Sequence, residues 1–189
     1  MKYLNVAITV LAISAQTAMA AGSVERKLFT LEKSLNSENI LNIHAFTDSD
    51  CKFVSGPNGF VDFYWLMDKQ NKKEVHPMIR SKVQERVKFL GLNGPKDSFK
   101  VRLNDLSEIK HDLEDNNIEV KAEIIAGVCT VKSVIKLGAS AKYKKMNLER
   151  TYCDVDKNFL GVPSGCTYLE LQGKQVDTNE ALKARFKGK

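Results

Sequence analysis

The segment Ile118-Glu119-Val120-Lys121-Ala122-Glu123-Ile124 alternates apolar and charged residues without interruption. Successive side chains of a β-strand point to opposite faces of its sheet, so this alternation predicts a strand with one face in the core and one in water. The turn residues Ala126-Gly127 follow, and the next stretch shows a similar alternation. In this second stretch Lys132 and Lys136 lie on the predicted outer face. The predicted inner face carries Cys129, Val131, Ser133, Ile135 and Leu137.

Further segments rich in aromatic or β-branched residues are also predicted as strands. They are Ile40–Phe46, Cys51–Val54, Phe60–Met67, Phe99–Leu103, Met146–Tyr152 and Tyr168–Leu171. Gly56-Pro57-Asn58-Gly59 is a strong turn signal between the second and third of them. Short strands with hairpin turns between them predict a mainly β (α+β) fold, either an antiparallel β-sandwich or an incomplete barrel.

Two segments have the apolar spacing of three and four residues that is typical of short amphipathic helices. Residues 24–35 carry Val24, Leu28, Leu31 and Leu35 at this spacing, and residues 79–90 repeat it before Gly91. A third short helix is predicted over residues 178–186. The expected organisation is an N-terminal helical lead over residues 21–37 and a single β-rich domain over residues 38–189.

Residues 1–20 have the layout of a cleavable export signal. Lys2 precedes an apolar run from Val6 to Ile13, which is too short to span a bilayer, and Ala18-Met19-Ala20 matches a small-residue cleavage site. We therefore expect a mature chain that starts at Ala21, carries no transmembrane segment and is exported. Periplasmic retention and full secretion remain equally open.

The chain has four cysteines, and an even number in an oxidising compartment favours disulfide formation. Four cysteines can form two disulfides in three different ways. Cys153 and Cys166 bracket twelve residues with loop composition, so we predict that they pair with each other and that Cys51 pairs with Cys129. The chain has no C-x-x-C motif and no Cys/His spacing of a zinc site, so no metal or cofactor is predicted.

Cys166 also has a catalytic interpretation. Ser164-Gly165-Cys166-Thr167-Tyr168 resembles the nucleophile segment of the envelope L,D-transpeptidases, in which Ser lies three residues before the Cys and Arg two residues after it. Here Ser lies two residues before the Cys, and Tyr168 replaces the Arg. The nearest histidine upstream is His111. A thiol without a neighbouring base is a poor nucleophile, so a structural disulfide is favoured.

The net charge of +6 is concentrated towards the second half of the chain. Residues 132–150 contain a single acidic residue, Glu149, and a cluster of cations: Lys132, Lys136, Lys142, Lys144, Lys145 and Arg150. Such a run can be an ordinary solvated strand face, or it can bind an anionic envelope polymer, a lipid head group or a protein partner. Export argues against nucleic acid. Tyr64 and Trp65 could line a ligand pocket, although core packing is the favoured explanation for them.

The three histidines are the remaining candidates for catalysis. His44 lies on an apolar strand face, His76 precedes a proline in a polar turn, and His111 lies among acidic residues. No nucleophile lies near His111 in sequence. We therefore expect a non-enzymatic exported binding or structural domain. The alternative is an envelope hydrolase or transferase that uses His111 or His76 with nearby carboxylates.

Several of these segments together resemble an uncharacterised family of small exported bacterial β-rich domains. They are the strand Phe60-Val61-Asp62-Phe63-Tyr64-Trp65-Leu66, the turn His76-Pro77-Met78 with the following helix, and the late strand Tyr168–Lys174. The family's Y-W strand often begins with Pro, where this chain has Phe60. The resemblance covers roughly residues 38–185. It implies a mainly β exported domain with no assigned activity, and it implies no site residues.

Overall fold

The computed structural model of the chain describes residues 22–34, 40–57, 59–66, 72–74, 97–103, 113, 116–138, 144–157 and 163–188. Every secondary-structure element within these ranges is a strand. The strands are β1 (Val24–Lys33), β2 (Ile40–Thr47), β3 (Phe53–Val54), β4 (Val61–Leu66), β5 (Lys72–Glu74), β6 (Ser98–Arg102), β7 (Asn117–Ile125), β8 (Val128–Leu137), β9 (Lys144–Lys157), β10 (Pro163–Gln175) and β11 (Ala181–Lys187). The predicted mainly β fold is confirmed.

All the strands belong to one sheet, which is nearly closed into a barrel-like shape. The main path runs β5-β4-β2-β1-β9-β8-β7-β6, β10 and β11 extend from β9, and β3 pairs with β2. Neighbouring strands are antiparallel except β1 and β9, which run parallel. We call β1 to β5 the first wing and β6 to β8 the second wing.

Strand β9 joins the two wings because one of its edges has two partners in succession. Residues 144–147 pair with β8, and residues 150–153 pair with β1, while β10 follows the other edge over most of its length. Between these two stretches Glu149 is an extra residue in the ladder with β10, a β-bulge. Bulges bend a strand and reverse the face to which later side chains point.

The burial of β9 follows this reversal. Met146 and Leu148 are buried before the bulge, and Thr151 and Cys153 are buried after it. Gly173, opposite Leu148, passes so close to the carbonyl of Asn147 that a side chain at this position would collide with it.

The core lies between the inner faces of the two wings. Phe53 of the first wing meets Phe99 of the second edge to face, with ring centroids 4.8 Å apart. The largest fully buried side chains come from both wings and from β9 and β10: Phe29, Phe53, Ile43, Leu103, Ile118, Ile135, Met146, Leu148, Leu169, Leu171, Val61 and Val101. Burial on this scale is the main favourable contribution to folding.

Both predicted disulfides are present. Cys51 is bonded to Cys129, which links the turn after β2 to the start of β8 and so joins the two wings covalently. Cys153 is bonded to Cys166 across the β9–β10 hairpin. Cys51 has a left-handed backbone with φ of 60°, and its turn is held by Asp48, whose Oδ1 accepts hydrogen bonds from Asp50 N and Lys52 N.

Two of the predicted helices are wrong. Residues 24–33 form β1, which pairs with β2 and β9, so this part of the expected helical lead belongs to the sheet. Residues 181–187 form β11, in which Leu182, Ala184 and Phe186 alternate with more exposed residues. The predicted loop between Cys153 and Cys166 is shorter than expected, because β9 continues to Lys157 and β10 begins at Pro163.

The predicted helix over residues 79–90 and the export signal over residues 1–20 lie outside the described residues. Within the described ranges, no helix has the length and apolar character needed to cross a membrane.

The two disulfides should differ in their contribution to stability. The first closes a loop with a sequence separation of 78 and the second a loop with a separation of 13. Loop-closure entropy then predicts that replacing Cys51 and Cys129 by serine lowers the free energy of unfolding by about 4.5 kcal/mol, and replacing Cys153 and Cys166 lowers it by about 3 kcal/mol. Denaturant unfolding of the two double variants measures both values, and the reverse order would contradict the entropic explanation.

Candidate anion-binding groove

The outer face of β6 to β9 carries polar side chains in rows that cross the strands. Because directly opposite residues share a face, the pairing register defines each row. One row is Ser98, Lys121 and Lys132, and the next is Lys100, Glu119, Val134 and Asn147. A third row brings Lys136 directly opposite Lys145. The charged side chains of this face come from four strands, β6 to β9.

Two of these rows place lysines directly opposite each other, Lys121 with Lys132 and Lys136 with Lys145. Cβ atoms of directly opposite residues are about 5 Å apart, and like charges at this separation destabilise a sheet. An anion between the two ammonium groups converts that repulsion into attraction. The paired lysines are therefore the candidate anion-binding residues of this face.

The face is shaped as a groove with a volume of about 440 Å³. One wall comes from the β10–β11 turn, where Val176 N donates a hydrogen bond to the carbonyl of Lys145. The residues that line it include five lysines and two glutamates: Lys100, Asn117, Glu119, Lys121, Glu123, Lys132, Val134, Lys136, Lys145 and Val176. We call this surface the lysine groove. Its lining has an excess of positive charge.

One lysine of the groove is partly neutralised. Lys132 Nζ lies 2.6 Å from Glu123 Oε1, and this hydrogen bond lowers the pKa of Glu123 against the opposing effect of burial. The end of the groove that contains Lys121 and Lys132 therefore contains an ion pair.

The structure brings together part of the predicted basic cluster. Lys132, Lys136 and Lys145 line the groove. Lys144 lies at the start of β9, opposite Leu137, and is absent from the groove lining. Lys142 lies outside the described residues.

Arg150 is directed elsewhere. Its Nη2 forms an ion pair at 2.5 Å with Glu32 Oε2, and its guanidinium lies 5.3 Å from the ring centroid of Tyr152. Arg150 is therefore absent from the lining of the groove. Lys100 and Lys121, which sequence analysis did not select, line the groove in its place.

The structure describes only one side chain of the predicted aromatic site, that of Tyr64. Tyr64 stacks on His44, with ring centroids 4.8 Å apart. The backbone of Trp65 lies in β4 opposite Leu41, and its side chain lies outside the described residues. His44 is 6% exposed, and its Nδ1 is 3.1 Å from Glu25 Oε1. This burial and pairing are typical of a structural histidine.

The catalytic interpretation of Cys166 is excluded by its disulfide with Cys153, since a disulfide has no thiolate to act as a nucleophile. His76 and His111, the residues of the enzymatic alternative, lie outside the described residues. Within the described ranges, no group of His, Cys, Asp and Glu side chains could hold a metal ion.

A second charged cluster lies on β10 and β11. Glu170 is almost fully buried on the outer face and accepts hydrogen bonds from Lys183, Arg185 and Gln172. Burial alone would raise the pKa of Glu170, but these three hydrogen bonds outweigh it and lower the pKa to about 2. Arg185 also lies over the ring of Tyr168 at 4.1 Å. Here one nearly buried carboxylate binds two cations, Lys183 and Arg185.

Comparison of the chain with protein-family models, curated proteins and solved structures gives no match. The resemblance to exported bacterial β-rich domains therefore stays a prediction.

The Glu170 cluster predicts a pH dependence of stability. Since the pKa is about 2 in the folded chain and 4.5 is its ordinary value, the carboxylate stabilises the fold above pH 4.5, and this contribution is lost as the pH falls towards 2. Glu170→Gln should cost about 2 kcal/mol at neutral pH and much less near pH 2. Denaturant unfolding as a function of pH measures this, with the exposed Glu149→Gln as control. A cost that does not change with pH would contradict the assignment.

Proposed function

We propose that the chain is an exported, non-enzymatic domain that binds an anionic envelope polymer through the lysine groove. The observation that supports this most directly is the pair of lysine rows, Lys121 opposite Lys132 and Lys136 opposite Lys145, which face a groove of about 440 Å³. Two disulfides are consistent with the oxidising compartment in which such a polymer is found.

The chemistry of the groove favours a ligand with negative charge and length. Lysines hold anions mainly as point charges, so their positions select the spacing of charge on the ligand more than the geometry of any single anion. Phosphate and carboxylate groups along a polymer satisfy this requirement. A lipid head group or an acidic protein surface would also be attracted, and binding experiments separate them from a polymer.

Binding should be electrostatic and should require the groove lysines. The double variant Lys136→Gln/Lys145→Gln is expected to bind isolated peptidoglycan sacculi or lipopolysaccharide about tenfold more weakly than the parent chain. The affinity of the parent should fall steeply between about 0.05 and 0.2 M salt, and the variant should show a shallower salt dependence because two charged contacts are lost. Sedimentation with sacculi and titration with lipopolysaccharide measure both quantities.

The matched control is Lys27→Gln/Lys187→Gln, which removes the same charge from exposed positions of β1 and β11 outside the groove. It should lose much less affinity than the groove variant. Equal losses in the two variants would show that only net charge matters, and binding that does not weaken with salt would remove the electrostatic basis of the proposal. Binding to anionic lipid vesicles that exceeds binding to either polymer would assign the groove to lipid.

A further inference from the structure

We infer that one end of the fold is a membrane-docking surface, which inserts into the interfacial region of a lipid bilayer. This end consists of the tip of the β7–β8 hairpin and the start of β1, and we call it the apolar end. The inference does not depend on the lysine groove or on the ligand proposed for it. It follows from the positions of the exposed apolar side chains.

Apolar side chains are exposed at the tip of the β7–β8 hairpin. Ile124, Ile125 and Val128 are 60%, 43% and 63% exposed, and they flank the turn Ala126-Gly127. Residues 124–131 contain no charged residue, in a chain of which 28% is charged. A contiguous apolar surface on a folded chain indicates contact with a membrane or with another apolar partner.

A fourth apolar side chain lies at the same end. Val24 is 46% exposed and directly opposite Thr47 in β2, and Thr47 Oγ1 lies 3.8 Å from Cys129 Sγ. Cys129 in turn is directly opposite Ile124. Four of the five large hydrophobic side chains that are exposed in the described ranges are therefore grouped at one end of the fold.

The turn at the tip has a sequence that is not the best one for a turn in water. Ala126 and Gly127 both have positive φ, 49° and 78°, as in the type I′ turns of two-residue hairpins. Asn or Asp is the usual residue at the first of these positions, because a left-handed backbone is costly for Ala. A side chain at Gly127 would meet no atom within 4 Å, so the turn projects into open space. An apolar medium around the turn accounts for Ala at this position.

The length of the apolar tip matches the depth of a bilayer interface. Glu123 is directly opposite Thr130, and its carboxylate forms the ion pair with Lys132. Two further rows of the hairpin, about 7 Å of strand, and then the turn lie beyond Glu123. Interfacial segments bury their apolar side chains about 5–10 Å into a bilayer. The ion pair would then lie among the head groups. Since it has one charge of each sign, docking does not require anionic lipid.

A bilayer fits this end better than a protein partner does. The tip is only two strands wide, so it offers less surface than the roughly 1,000 Å² that a specific protein interface buries. A bilayer needs no surface of matching shape. The Cys51–Cys129 disulfide fixes the base of the hairpin to the first wing, so little conformational entropy is lost when the tip inserts.

The chain also enters the fold at the apolar end. Val24 is the first residue of β1, and the predicted export signal over residues 1–20 ends shortly before it. A signal of this type is inserted in a bilayer while the chain is exported. The apolar end is therefore the part of the fold that is closest to a membrane at that stage.

Vesicles of pure phosphatidylcholine test the inference, with the chain from Ala21 onward so that the export signal adds no lipid affinity of its own. We expect this chain to sediment with the vesicles, and its affinity should change less than about twofold between about 0.05 and 0.5 M salt, because apolar contacts are not screened. Ile124→Ser/Val128→Ser should lower the affinity at least about tenfold. Both side chains are mostly exposed, so this variant should fold like the parent chain.

A second variant separates docking from a purely structural role of the turn. Ala126→Asn should raise the midpoint of denaturant unfolding, because Asn suits the left-handed position better than Ala does. The same variant should lower the affinity for the vesicles about threefold, because a polar side chain then enters the interface. A purely structural role would raise the stability and leave the lipid affinity unchanged, and that result would contradict the inference.

The control is the binding of Ile124→Ser/Val128→Ser to peptidoglycan sacculi. It should equal that of the parent chain, because neither residue lines the lysine groove. If the parent chain does not bind the vesicles, or if the double variant binds them equally well, the inference is overturned and the proposed function is unaffected. A parent chain that is dimeric in solution and a double variant that is monomeric would assign the apolar end to an interface between two copies, which also overturns the inference.

Discussion

The fold depends on a single strand that serves two partners along one edge. Because β9 pairs first with β8 and then with β1, the sheet divides into two wings at the Glu149 bulge. A divided sheet would expose both inner faces unless the wings were held against each other. The Phe53–Phe99 contact and the Cys51–Cys129 disulfide hold them, one by apolar packing and the other by a covalent bond. The outer face of the second wing therefore has a fixed geometry, and its side chains keep a constant spacing.

Sequence predicted β7 correctly but assigned β1 and β11 to helices, for two different reasons. β7 alternates strictly between core and solvent, so its pattern was sufficient. In β1, residues 28–31 are all buried, which removes the alternation, and the leucine spacing then matched a helix by coincidence. β11 does alternate, but its Ala, Leu and Lys residues have high helix propensity, and pairing with β10 overrides that preference. In both segments the secondary structure is determined by pairing with strands distant in sequence, and a local sequence pattern carries no information about that pairing.

The candidate site was predictable only where its residues are close in sequence. A count of charges along residues 132–150 found Lys132, Lys136 and Lys145, because β8 and β9 form consecutive parts of the groove. Lys100 and Lys121 lie beside these lysines because of the pairing register of β6, β7 and β8. A count of charges along the sequence does not reveal that register. Arg150 does not line the groove, because the bulge just before it alters the facing of β9 and β1 replaces β8 as its neighbour, which leaves the guanidinium beside Glu32.

The same chain arranges charge in two different ways on its outer surface, and the difference bears on function. On β10 and β11 a nearly buried carboxylate gathers the nearby cations, an arrangement that stabilises the fold without any ligand. On β7 to β9 lysine is directly opposite lysine in two rows, and like charges at this spacing do not favour the pairing of strands. The first arrangement is a set of ion pairs around one carboxylate, whereas the second places like charges directly opposite each other. The proposed binding of an anion rests on the second arrangement.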